Sequence, residues 1–125
     1  MQQQRTVPHF AVTTVDGRTA HYGAIWQHKS LVLVLLPTPP SSAVAAYAEQ
    51  IGAHADAFAA YGAECVVTSD AVAGFTPPTV VISDRWGEIV FEAAPDAASL
   101  PRADEIAEWL QHVQHRCPEC EGEAR

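Results

Sequence analysis

The sequence predicts one α/β domain: a mixed sheet flanked by helices and preceded by a β-hairpin. Three observations point that way. Residues 31–36 form an unbroken apolar run, as expected of a central strand covered on both faces. Soon after it, Val44, Ala48, Ile51, Ala55 and Phe58 recur at the 4-3-4-3 spacing of one buried helix face. Thr79 to Ser83 and Glu88 to Glu92 then flank Asp84-Arg85-Trp86-Gly87 as a late hairpin.

Each element has a local reason. Residues 9–14 are β-like, and Asp16-Gly17 favours a tight turn into a second strand near residues 19–22. A helical turn is expected near residues 23–26. Pro37, Pro39 and Pro40 end the central strand, because proline cannot donate to a ladder. Ser41 or Ser42 caps the following helix by accepting a bond from a first-turn N–H. Tyr61-Gly62 closes that helix, glycine suiting the left-handed cap. Residues 63–68 make the next strand and residues 69–76 a loop. After a loop over residues 94–99, a last helix starts near Pro101 with Ile106, Trp109, Leu110 and Val113 on one face. Asp104, Glu105 and Glu108 lie in its N-terminal half, where the helix dipole favours acids.

At 125 residues, with 48% hydrophobic and 18% charged side chains, the chain supports one ordinary globular core. Seven basic against fifteen acidic side chains leave a formal charge of -8. Nucleic acid is therefore excluded as an expected partner, since phosphate binding needs clustered Lys and Arg. The polar start Met1-Gln2-Gln3-Gln4-Arg5 does not read as a secretory signal, and no run approaches the roughly 20 apolar residues of a membrane span. A cytoplasmic protein without membrane insertion is expected. There, cysteines serve as thiols or metal ligands rather than structural disulfides. Cys65 alternates within a strand-like run and reads as an inert core thiol.

Four motifs in order carry a family resemblance. They are Val7-Pro8-His9-Phe10, Asp16-Gly17-Arg18, Lys29-Ser30-Leu31-Val32-Leu33-Val34, and the stretch from Pro77-Pro78-Thr79 to Ile89-Val90. Together they resemble the thioredoxin-like fold of the redoxin group, the peroxiredoxins and thioredoxin-like reductases, over about residues 7–113. The resemblance implies a thioredoxin-like sandwich, a cis peptide at Pro78, and an active site where the central strand meets its helix. In peroxiredoxins that site reads P-x-x-x-T-x-x-C and in the reductases C-x-x-C. Counted without gaps, Pro37 matches the peroxiredoxin proline, Ser41 the threonine and Val44 the peroxidatic cysteine. In the reductase register, Ser41 and Val44 replace both cysteines. Redox chemistry there needs a thiolate, which valine cannot supply and a serine hydroxyl does not replace. Peroxiredoxins also place a helix and a strand where this chain has only the short stretch from Asp70 to Pro77. A cleft lined by Thr38, Ser41 and Pro78 is left as a binding site without its own chemistry.

The other thiols stand in Cys117-Pro118-Glu119-Cys120, preceded by His112 and His115. C-x-x-C is the spacing of a redox dithiol and also of a zinc half-site. The pair follows a helix C-terminus and is flanked by Glu119, Glu121 and Glu123, which disfavour a thiolate; His115 and Arg116 oppose that in part. Zinc would deprotonate both thiols despite the acids, with His112 and His115 as further donors. Four ligands so close in sequence rarely all reach one ion, so two pairs from two subunits, or a pair given to a partner's site, are the easier arrangements. Metal or partner bridging, a redox dithiol, and neither role all stand open.

The expectation is a redoxin-like domain over residues 1–116 with a C-terminal C-x-x-C tail over residues 117–125. It is expected to be a non-peroxidase accessory or binding protein, with a protein partner and a homo-oligomer both allowed for. The alternative is a thiol-disulfide oxidoreductase that attacks with Cys117 and resolves with Cys120.

Overall fold

Alternation in the central strands sets the architecture. The computed structural model describes residues 5–93 and 100–116, the last two by backbone alone. Strand β3 (Ser30–Leu35) is buried at every position. It pairs in parallel with β4 (Ala63–Thr68) and antiparallel with β5 (Thr79–Ser83), and β5 pairs with β6 (Ile89–Glu92). The sheet order is β4-β3-β5-β6. Val32, Val34, Cys65, Val67, Val80 and Ile82 point to one face, and Leu31, Leu33, Leu35, Val66 and Val81 to the other. Each fully buried aliphatic side chain contributes about 1.5–3 kcal/mol relative to exposure, so this double-sided strand anchors the fold.

The first face is covered by α2 (Ser42–Ala53), α3 (Ala55–Ala60) and α4 (Ala103–Arg116). Val44, Ala48, Ile51, Phe58, Ile106 and Leu110 supply the packing there, as their spacing predicts. The second face is covered by the hairpin β1 (Ala11–Thr13) with β2 (Thr19–His21), by α1 (Tyr22–Ile25), and by Val72 and Phe75 of the loop after β4. That loop covers the sheet with no helix or strand of its own. The mixed sheet, its flanking helices and the N-terminal hairpin match the expected class.

Two details differ from the sequence reading. The helix expected to run from its serine cap to Tyr61 breaks at His54. The His54 N–H bonds the Ile51 carbonyl, three residues back, and the His54 ring takes the freed Gln50 carbonyl through Nδ1 at 2.9 Å. The carbonyl can only accept, so Nδ1 carries the proton. The same apolar face resumes at Phe58, and Gly62 ends the pair of helices at φ +77°. The first strand is also shorter than residues 9–14, because the Phe10 carbonyl accepts from Tyr22 N–H and the His9 ring packs against Tyr22 and Trp26.

The last helix opens on Arg102, whose N–H donates to Glu105 Oε1 at 2.8 Å, half of a capping box. The Tyr47 hydroxyl donates to the Pro101 carbonyl and ties α2 to the start of α4. No helix among the described residues is long and apolar enough to cross a membrane.

Candidate functional site

The sheet brings two of the predicted segments to one end. Leu35 stands opposite Thr79, and Leu36 N–H donates to the Thr68 carbonyl. The turn over residues 37–41 and the Pro77-Pro78 step therefore leave the sheet side by side. Thr38 and Ser41 are exposed there and Pro78 is half-buried. The Pro77–Pro78 peptide is cis, as the resemblance implies, and so is Thr38–Pro39.

Ser41 is the N-cap of α2. Its hydroxyl accepts from the Val44 N–H at 3.2 Å, satisfying one of the helix's unpaired donors. The Val44 side chain turns inward and is buried in the core against the sheet. The first turn of α2 thus presents hydroxyls and backbone N–H groups, which can hold a polar group but cannot carry electrons.

Cys65 is the free cysteine among the described residues. It lies on β4, facing the helix-covered side, opposite Val32 and three residues from the Leu35–Thr68 end. At about 3.3 Å per residue it stands roughly 10 Å of strand from that end, and it shares the lining of one cavity with Pro40 and Ala45. Burial pushes its thiol up to about 12; the Glu64 carboxylate adds to the shift and Arg18 opposes it. At neutral pH the group is a protonated core thiol, the role its strand position predicted.

His112 is exposed on α4, its ring 5.9 Å from that of Trp109 in an edge contact. Its neighbour Gln111 donates to the Tyr61 hydroxyl at 3.2 Å, beside the start of β4. The structure therefore puts His112 towards the sheet end opposite Thr38, Ser41 and Pro78, about 20 Å of strand apart. The His115 side chain, Cys117 and Cys120 lie outside the described residues. No group of three or more His, Cys, Asp or Glu side chains able to hold a metal occurs among the described residues.

The sequence reading missed a cavity of about 500 Å3 that runs along α2 from Pro40 and Ala45, beside the Ser41 turn, to Gly52, between that helix, the β4 edge and the β1–β2 turn. Cys65 and Val67 lie at its base, Gly52 in its helical wall, and Val15 at its mouth. Gly52, a lone glycine on the polar side of an alanine-rich helix, was the one local signal of it.

The comparisons agree on the fold. No protein-family model and no curated protein sequence matches this chain. Among similar solved structures, the reduced 2-Cys peroxiredoxin of Plasmodium vivax is 12% identical with a TM-score of 0.69, covering 97% of this chain and 89% of that one. The exposed lipoprotein thioredoxin of Streptococcus pneumoniae is 16% identical with a TM-score of 0.57, covering 84% and 99%. The thioredoxin domain of a thiol-disulfide oxidoreductase from Bacteroides vulgatus is 10% identical with a TM-score of 0.56, covering 88% and 99%. This chain has a thioredoxin-like fold of the redoxin type.

Proposed function

We propose that the protein is a redoxin-fold binding module in redox metabolism that performs no peroxidase chemistry. The observation that carries the reading is the α2 N-terminus, where Ser41 closes the first turn and Val44 is committed to the core. In the register of the resemblance these two residues stand where relatives keep sulfur. Cys65 does not replace that sulfur, being a buried and protonated thiol on β4, about three residues from the strand end. Thr38, Ser41 and Pro78 remain as a polar and apolar rim able to hold a protein segment without reacting with it.

In this reading the Cys117/Cys120 pair is the contact point for a metal or a partner. The donor set, two thiols with His112 and His115, suits zinc, which takes sulfur and imidazole nitrogen tetrahedrally. His112, the one donor whose side chain is described, is exposed, as a ligand shared with a second copy or another protein requires. Zinc bound there would act as a structural clamp and would hold both thiols deprotonated. The alternative draws on the thiol-disulfide oxidoreductase among the similar structures: Cys117 would attack a substrate disulfide and Cys120 would resolve the mixed disulfide.

Native mass spectrometry of the full chain, purified without chelator, separates the two. The binding reading predicts zinc at one per chain or one per two chains, lost on chelation and in Cys117→Ser. A metal-free chain whose disulfide-reducing turnover disappears in Cys117→Ser would sink it and establish the alternative.

A further inference from the structure

The cavity beside β4 has the size of a small-molecule site, about 500 Å3 against a usual range of about 300–1,000 Å3. Leu36, Cys65 and Val67 form an apolar base, and each is nearly covered by its neighbours. Two residues of its lining have no explanation in the chain's own packing. Val15, at the mouth, is 61% exposed, one of two large hydrophobic side chains so exposed among the described residues.

Gly52 is the other. It lies in the last turn of α2 with no positive φ, and a Cβ built on it meets no atom within 4 Å. Neither backbone conformation nor close packing calls for glycine there, yet glycine costs a helix up to about 0.5–1 kcal/mol relative to alanine. What its missing side chain does is keep the cavity wall open.

Charge at the rim selects the ligand. Arg18 also lines the cavity, but its Nε sits 3.1 and 3.3 Å from the two Asp16 oxygens and its guanidinium lies 3.6 Å from Glu64. Its charge is already met. Glu49 lines the cavity three residues before Gly52, on the same side of α2. It is exposed and forms no ion pair among the described residues. The mouth therefore carries an unmatched carboxylate above an apolar base.

The geometry points to a binding site for a small amphipathic cation, with its apolar body against Cys65, Val67 and Gly52 and its ammonium head at Glu49. The site abuts the Ser41 turn, since Pro40 and Ala45 also line it, but it uses none of Thr38, Ser41, Pro78 or the C-terminal cysteines.

The test is a chemical-shift titration of the 15N-labelled full chain with decylamine, decanol and decanoate, the two ions below their micelle concentrations and decanol below its solubility limit. Decylamine should move the amide signals of Val15, Gly52, Cys65 and Ser69 saturably. Decanol should bind about fivefold more weakly, and decanoate more weakly still. Glu49→Gln should bring decylamine and decanol to within about twofold of each other. Gly52→Phe, which fills the wall, should lower decylamine affinity by about tenfold or more. Ala45→Phe, on an exposed turn of the same wall, serves if that variant does not fold. Unsaturable shifts scattered over the surface, equal affinity for decanol or decanoate in the native chain, or unchanged affinity in a folded filling variant would each overturn the assignment.

Discussion

At the residue scale, Cys65 and Ser41 show how burial decides chemistry. Desolvation holds the Cys65 thiol protonated up to about 12, against an ordinary value of 9.0. Below pH 9 folded and unfolded chains both carry that proton, so the residue gives no pH dependence. Between about 9 and about 12 the unfolded chain releases it first, so stability falls as pH rises. Urea unfolding from pH 8 to pH 11 should therefore show a shallower alkaline decline in Cys65→Ala than in the native chain. Ser41 contributes a cap instead of a nucleophile. Ser41→Ala should cost about 1 kcal/mol in urea unfolding, and Ser41→Asp, which restores the acceptor, should recover most of it. Both roles were legible in the sequence, because a serine before a 4-3-4-3 run and a cysteine within a strand-like run carry their meaning locally. The cis peptide at Thr38–Pro39 was not, since nothing in a Thr-Pro step selects the isomer.

At the element scale, the helices and turns answer to a few backbone positions. Gly87 closes the β5–β6 hairpin at φ +87°, and a Cβ there would stand 3.0 Å from the Tyr22 hydroxyl oxygen. Gly87→Ala is expected to destabilise the protein by about 1–3 kcal/mol, read as a lower urea midpoint. Gly52→Ala is expected to do the reverse, stabilising α2 by about 0.5–1 kcal/mol, because the added methyl meets nothing. Opposite signs for two glycine-to-alanine changes separate a turn requirement from an open wall. The apolar stripe of α2 and α3 was legible as one helix, since Val44, Ala48, Ile51 and Phe58 keep a single face across the break. The break was not legible. It depends on the His54 ring replacing a backbone bond to Gln50, a choice that side-chain periodicity does not record.

At the scale of the whole molecule, the sheet order separates the possible sites. The Ser41 turn and Pro78 leave one end, His112 lies towards the other, and the cavity opens beside the β4 edge with Pro40 of that turn in its lining. The fold class could be read ahead because residues 31–36 are a short apolar run ended by prolines, as a central strand covered on both faces requires. The cavity could not, because its lining joins the β1–β2 turn, α2 and β4, segments far apart in sequence that meet only after folding. In the proposed function the α2 end of this fold does no thiol chemistry. It is tested most directly by measuring peroxide consumption and disulfide reduction by the full chain carrying Cys117→Ser and Cys120→Ser, which leaves Cys65 as its one thiol. Turnover no faster than that of a Cys65→Ala derivative of the same chain is expected. Turnover that persists in the double variant and disappears with Cys65 would contradict it.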